Sequence, residues 1–365
     1  MWKEVLLNYG IFLLELLTVF GVIIAIVMMV LESKKQSQQG EISITNLTEK
    51  YKESKKALSQ FFLTEAEQKA QEKAEKKAQK EKAKADKKRL KLAKKSKAKN
   101  SEQAELEEAQ EESVKSRLFV VNFNGDVMAS GVDCLRKEID AIVTLARPEH
   151  DEVLLKLESP GGVVHGYGLA ASQLVRLKER NIPLTITVDK VAASGGYMMA
   201  CVADKIISAP FAVLGSIGVV AQVPNIHRLL KKHDVDVDVM TAGEYKRTVT
   251  LMGENTKTGK KKFQQELEET HTLFKQFVNQ YRPQLDIEKV ATGEHWFGKQ
   301  ALELNLVDEI ATSDDVILTM IEQKDVIEVK FTQKKNVLKR FGIELEQSAE
   351  RLITKLLNKS GSSML

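Results

Sequence analysis

At 365 residues and 43% hydrophobic content, the chain holds enough apolar side chains for a sizeable core, which excludes wholesale disorder. Its formal net charge of +4 is too small to name a partner until the chain is divided into segments. Two cysteines, Cys134 and Cys201, exclude a disulfide framework.

Residues 11–31 are apolar except for Glu15, Thr18 and Gly21. About 20 helical residues at a rise of roughly 1.5 Å cover the roughly 30 Å hydrocarbon core, so residues 1–32 read as an anchor with one transmembrane helix. A cleaved signal peptide would have a shorter apolar region and a small-residue cleavage site, which this stretch lacks. Lys34 and Lys35 outnumber Lys3 across the span, and the positive-inside rule taken alone leaves the bulk of the chain in the cytoplasm. No second span is expected, because the apolar run over residues 191–203 is too short.

Residues 33–116 form a juxtamembrane region. Its centre, residues 65–99, uses almost only Ala, Lys, Glu and Gln, with a basic stretch over 73–99 and an acidic one over 102–112. Helix propensity is high, but no apolar face can be buried, so the region reads as a charged helical or disordered spacer. Its basic half suits the anionic headgroups of a lipid bilayer. No aromatic residue lies between Leu63 and Leu118 to stack on bases, which argues against nucleic acid.

A folded domain is expected over residues 117–326. Strands are predicted at 118–123, 152–157, 184–188, 205–208 and 236–240, and helices at 132–146, 167–181, 197–202 and 259–281. Their alternation predicts right-handed crossovers and a mostly parallel sheet, whose strand-following loops share one edge. Two such loops, Ser159-Pro160-Gly161-Gly162 and Ala192-Ala193-Ser194-Gly195-Gly196, should therefore meet. A further tail, residues 327–365, is amphipathic over 338–357 and reads as helical.

Chemistry centres on Ser194. Small neighbours leave its hydroxyl open to a substrate, with helix N-terminal amides pointing the same way. The same residue could equally be a helix N-cap, and Pro160-Gly161-Gly162 simply a tight turn. Gly162 and Gly195 offer bare backbone N–H groups of the kind that stabilise an oxyanion. For a base, His165, His227 and His233 lie in no triad context, and the Ser194 loop departs from the Gly-x-Ser-x-Gly elbow at its first position. Lys246 is the alternative. A free lysine titrates near 10.4, so working near pH 7 to 8 requires a depression of roughly 3 units; by sequence chemistry alone Lys246 is equally a surface residue.

Four motifs then occur in order: Ser159-Pro160-Gly161-Gly162, Ala193-Ser194-Gly195-Gly196-Tyr197, Gly215-Ser216-Ile217-Gly218-Val219 and Gly243-Glu244-Tyr245-Lys246. With Gly253-Glu254-Asn255-Thr256 and Leu306-Val307-Asp308-Glu309-Ile310, this order resembles the signal peptide peptidase A family of serine peptidases, over residues 118–326 and the anchor. The resemblance implies an α/β fold, a caseinolytic-protease/crotonase-like twisted sheet with flanking helices. It implies Ser194 as nucleophile, Lys246 as general base and acid, Ser216 as the group orienting the lysine, and the Gly195 and Gly162 amides as oxyanion hole. Such a membrane-anchored serine endopeptidase would cleave signal-peptide remnants or unfolded membrane and secreted proteins. Each motif occurs once, so the resemblance further implies a homo-oligomer whose dyad is shared between subunits. It places the chain in a bacterial inner membrane with the catalytic domain periplasmic, against the charge rule. Asn305 stands where the family pattern has glycine, at a helix C-cap. No metal-ligand spacing or phosphate loop is present, so neither metal nor cofactor is expected. A crotonase-like acyl-CoA enzyme would need carboxylates near the oxyanion loop; a catalytically silent membrane scaffold would not need both Ser194 and Lys246.

Overall fold

The computed structural model describes residues 40–64, residues 67, 77, 80, 81 and 84, and residues 115–333. The expected anchor, most of the charged spacer and the amphipathic stretch over 338–357 lie outside the described residues. Among the described residues, no helix is long and apolar enough to cross a membrane. Residues 44–330 make one compact unit; residues 1–43 with 331–365 make another, of which only two short strand ends are described.

Parallel strands buried on both faces read as near-continuous apolar runs, and the central strands do so. The elements are β1 (Gly40–Asn46), α1 (Leu47–Phe61), β2 (Arg117–Asn124), α2 (Val132–Leu145), β3 (Glu152–Glu158), α3 (Val164–Lys178), β4 (Leu184–Val188), β5 (Val191–Ala193) and α4 (Gly195–Ala200). There follow β6 (Lys205–Ser208), β7 (Val213–Gly215), α5 (His227–Lys232), α6 (Lys257–Tyr281), α7 (Ile287–Val290), β8 (His295–Phe297), α8 (Gly298–Glu303), β9 (Glu309–Ile310), α9 (Ser313–Gln323) and β10 (Asp325–Gln333). In the main sheet β10, β2, β3, β4, β6 and β9 lie side by side, every pair parallel. A second, three-stranded sheet has the order β5-β7-β8, the last pair antiparallel. The fold is therefore α/β, a mixed arrangement of strands with flanking helices.

The pleat divides the core. Phe119, Val121 and Phe123 of β2 join Val153, Leu155 and Leu157 of β3 on one face, against Leu135 and Ile139 of α2 and the buried residues of α3 and α4. Leu118, Val120 and Leu154 face the other way onto Ile317 of α9, with Leu47 and Tyr51 of α1 packed alongside. Thr48 in α1 accepts a hydrogen bond from the Val326 amide at 2.9 Å, so α1 is built into the domain rather than into a spacer. β10, whose residues 327–333 fall in the tail expected to be helical, pairs as a strand with β2 through residues 325–328.

Residues 236–240, expected as a strand, run as irregular loop. Val235, Val237 and Val239 alternate with aspartates, but a strand needs a neighbour for its backbone and a core for its apolar face. Neither is offered here: Val235, Val239 and Met240 are exposed. Asn305 takes φ 60, the left-handed conformation a C-terminal cap demands and a reason its place suits glycine.

Asp151 staples the sheet end remote from the serine loops. Its fully buried carboxylate accepts from the Arg117 and Arg147 backbone amides at 2.9 and 2.8 Å, and from their guanidinium groups at 2.6 and 2.8 Å. Burial alone would raise this carboxyl, but the hydrogen bonds from Arg147 and Arg117 outweigh it and hold it well below the usual carboxylate range. Its folded value thus lies below the unfolded one of about 3.9, so its contribution is complete above that pH and is lost as pH falls through the folded value. Asp151→Asn is expected to lower unfolding stability at pH 7 by about 3 kcal/mol. Urea titrations at pH 7 and pH 3 should show the gap from wild type narrowing in acid; a constant gap would contradict this account.

Candidate active site

Backbone hydrogen bonds bring three loops to one place. Ser159, just past β3, donates its amide to Val191 O at 2.8 Å, and its carbonyl accepts from the Ala193 amide at 3.0 Å. β5 pairs with β7, setting Ala193 beside Gly215, and the Ser194 amide donates to Gly215 O at 2.8 Å. The loops carrying Gly162, Ser194 and Ser216 therefore meet, as parallel crossovers require.

Ser194 occupies the N-cap position of α4, yet its side chain makes no capping hydrogen bond. Its backbone sits at φ 52, ψ −118, a conformation that costs a non-glycine residue about 1 to 3 kcal/mol and persists only where the surroundings enforce it. Enforcement comes from close packing. A Cβ on Gly195 would lie 2.4 Å from the Tyr167 ring, and one on Gly196 would lie 2.6 Å from Ser159 O. An N-cap would need an extended backbone and a hydroxyl turned onto the helix; here the hydroxyl is left free for other work. Among the described residues, the amides of Gly162 and Gly195 meet no acceptor. Gly195 is buried, and a buried unpaired amide is uncommon in a folded protein.

Tyr167 of α3 braces both loops from beneath. Its hydroxyl donates to Asp126 O at 2.8 Å and lies 2.5 Å from Ser159 Oγ, which also accepts from the Gly161 amide at 3.1 Å. A carbonyl only accepts, so the tyrosine proton points at Asp126 and the Ser159 hydroxyl donates to the tyrosine oxygen. Burial pushes the Tyr167 phenol above its ordinary value, against the Ser159 hydrogen bond, which keeps it protonated. Periodicity placed Tyr167 on the helix; nothing local marked it as a support of the site.

An open cleft of about 660 Å³ runs over Ser194 and is lined also by Ser216, Gly161, Gly162, His271 and Gly293. Ser216 takes φ 50 and donates its amide to Glu294 O at 2.6 Å. Lys246 is not in this cleft. It lies exposed after the Gly243 turn and lines a different groove of about 660 Å³ with Val237, Met240 and Leu251. None of His165, His227 and His233 lines the Ser194 cleft, whereas His271 of α6 does, its Nε2 lying 3.2 Å from Ile217 O. His271 escaped the sequence reading because a helix far along the chain delivers it. Among the described residues, no three His, Cys, Asp or Glu side chains group as metal ligands.

Comparison with known proteins adds identity to this geometry. The model described as "Peptidase family S49 N-terminal" matches residues 4–174, and that described as "Peptidase family S49" matches residues 176–327. The "Probable protease SohB" of Haemophilus influenzae is 56% identical over 367 aligned residues, spanning 100% of both chains. The protein of the same name from Buchnera aphidicola subsp. Schlechtendalia chinensis is 47% identical, over 87% of this chain and 99% of its own. Among solved structures, the 1510-N membrane-bound stomatin-specific protease in complex with a substrate peptide overlaps 56% of this chain and 80% of its own, at 14% identity and TM-score 0.36. By its likeness to the Haemophilus protein along its whole length, the chain is a peptidase of family S49.

Proposed function

We propose that this peptidase is a membrane-anchored serine endopeptidase whose nucleophile is Ser194 and whose general base is Lys246 of a second copy of the chain. The observation that carries the first half is the strained, uncapped Ser194 beside two unpaired glycine amides. Ser194 Oγ attacks the scissile carbonyl while the lysine amine takes its proton. Negative charge developing on the carbonyl oxygen is met by the Gly162 and Gly195 amides, and the protonated lysine then delivers its proton to the leaving amine. Water hydrolyses the resulting ester by the same steps. Ser216, lining the cleft beside Ser194, orients the incoming lysine.

Lys246 and Ser194 line separate grooves within one chain, which motivates supply from a neighbour. The surface around Lys246 also exposes Met240, Tyr245, Leu251 and Met252, an apolar area suited to burial against another copy. The twisted-sheet family resemblance, the anchor over residues 11–31 and a periplasmic catalytic domain on a bacterial inner membrane belong to the same reading, supported by sequence pattern. Substrates would be signal-peptide remnants or unfolded membrane and secreted proteins.

Hydrolysis of unfolded casein by the detergent-solubilised chain tests the dyad. Ser194→Ala and Lys246→Ala should each abolish it with folding and assembly intact, and mixing the two variants should restore a fraction; absence of any rescue would sink the shared dyad. Retained activity in Lys246→Ala would pass the base role to His271. Separately, Tyr167→Phe should lower kcat by about 10- to 100-fold, less than the direct loss of an oxyanion donor, with KM little altered. A rise in KM alone would mean that Tyr167 shapes binding rather than the oxyanion loop.

A further inference from the structure

Two hydrogen bonds bracket Ser216. On one side its amide donates to Glu294 O at 2.6 Å; on the other, the carbonyl oxygen of the next residue, Ile217, lies 3.2 Å from Nε2 of His271. A carbonyl only accepts, so the ring nitrogen donates. We infer that His271 is a positioning residue, whose Nε2–H holds the Ile217 carbonyl and thereby keeps the Ser216 hydroxyl aimed at the lysine. The inference rests on the proposed dyad and on Ser216 orienting its base.

The turn needs such a clamp. Gly215 and Ser216 take φ 92 and φ 50 in succession, and a non-glycine residue keeps the second conformation only where its surroundings enforce it. Past Ser216 that enforcement is scarce. Among the described residues, the backbone of residues 217–224 makes a single hydrogen bond, the one from His271. The Ile217 side chain is fully buried and fixes where the turn lies, but a packed side chain leaves the peptide plane that follows it free to tilt about its two soft dihedrals. The bond to the carbonyl removes that freedom.

Helix α6 supplies the donor from a fixed base. His271, Phe274 and Val278 recur at helical spacing and share one face. Phe274 and Val278 are buried in the main core cluster, which holds that face inward, while His271 is half-buried and lines the Ser194 cleft together with Ser216. The same bond argues against a base role, since Nε2 already carries its proton and only Nδ1 is left to accept one.

Three substitutions separate the roles, read by casein hydrolysis with the full, detergent-solubilised chain. His271→Ala removes ring and donor, whereas His271→Phe keeps a ring of similar bulk without the donor. Both should lower kcat by about 10- to 100-fold with KM within about twofold, because misplacing a catalytic group by about 1 Å costs on that scale. His271→Gln returns an amide N–H near the position of Nε2 and should restore kcat to within about threefold of wild type. Glutamine cannot act as a base at neutral pH, so a Gln variant as slow as the Ala variant is the result a base role would give and would overturn the inference. Wild-type kcat in a folded Phe variant would overturn it too. Should His271→Ala not fold, the Phe and Gln variants carry the comparison. The route through Ser216 is read from a double-mutant cycle: with Ser216→Ala already present, His271→Phe should slow the enzyme by less than about twofold more. An equal loss in both backgrounds would overturn the inference and leave the dyad standing. Full activity in Ser216→Ala would remove the role of Ser216, and this inference with it. If wild type neither cuts casein nor takes a fluorophosphonate at Ser194, the dyad itself fails and the inference falls with it.

Discussion

The backbone exchange between Ser159 and β5 is the constraint from which the site follows. Through two hydrogen bonds, Ser159 amide to Val191 O and Ala193 amide to Ser159 O, the loop after β3 is locked to the short strand that delivers Ser194. Without that lock, Gly162 and Gly195 would be two flexible glycine turns. With it, Gly162 and Gly195 border one cavity together with Ser194. Tyr167 extends the constraint downward, since its ring packs on Gly195 and its hydroxyl holds Ser159. One side chain therefore serves both halves of the site.

Strain and packing are coupled here. Ser194 and Ser216 both adopt positive φ, and each has its amide bonded to a carbonyl of a neighbouring loop, Gly215 O and Glu294 O. The cost of each unusual backbone is offset by the sheets on which the loops stand. Met198 of α4 and Phe274 of α6, both buried, close the space beside Ser194 on the helix side. The surroundings of Lys246 differ. Residues 219–256 contain one short helix and expose several apolar side chains, Val220, Met240 and Met252 among them.

Strands 118–123, 152–157, 184–188 and 205–208 were legible because each is a run of buried apolar residues bounded by turn residues, a pattern that survives whatever packs on it. Helices 132–146 and 259–281 were legible through their apolar spacing. Residues 236–240 show the limit: alternation of Val and Asp satisfies the period of a strand, but no sheet edge receives it. Conversely α1 and β10 looked like spacer and tail, because the groups that bury them, Thr48 against Val326 and Tyr51 against the β2–β3 face, are separated by most of the chain.

Sequence by itself determined the alternating α/β order, the two glycine loops with Ser194 between them, and the motif series that marks the family, all properties carried by short stretches of residues. Only the tertiary structure decided that Ser194 is strained rather than capping, that Tyr167 braces its loop, that His271 lines the same cleft, and that Lys246 lines a groove of its own. These depend on distances between segments remote in the chain, which no local pattern encodes.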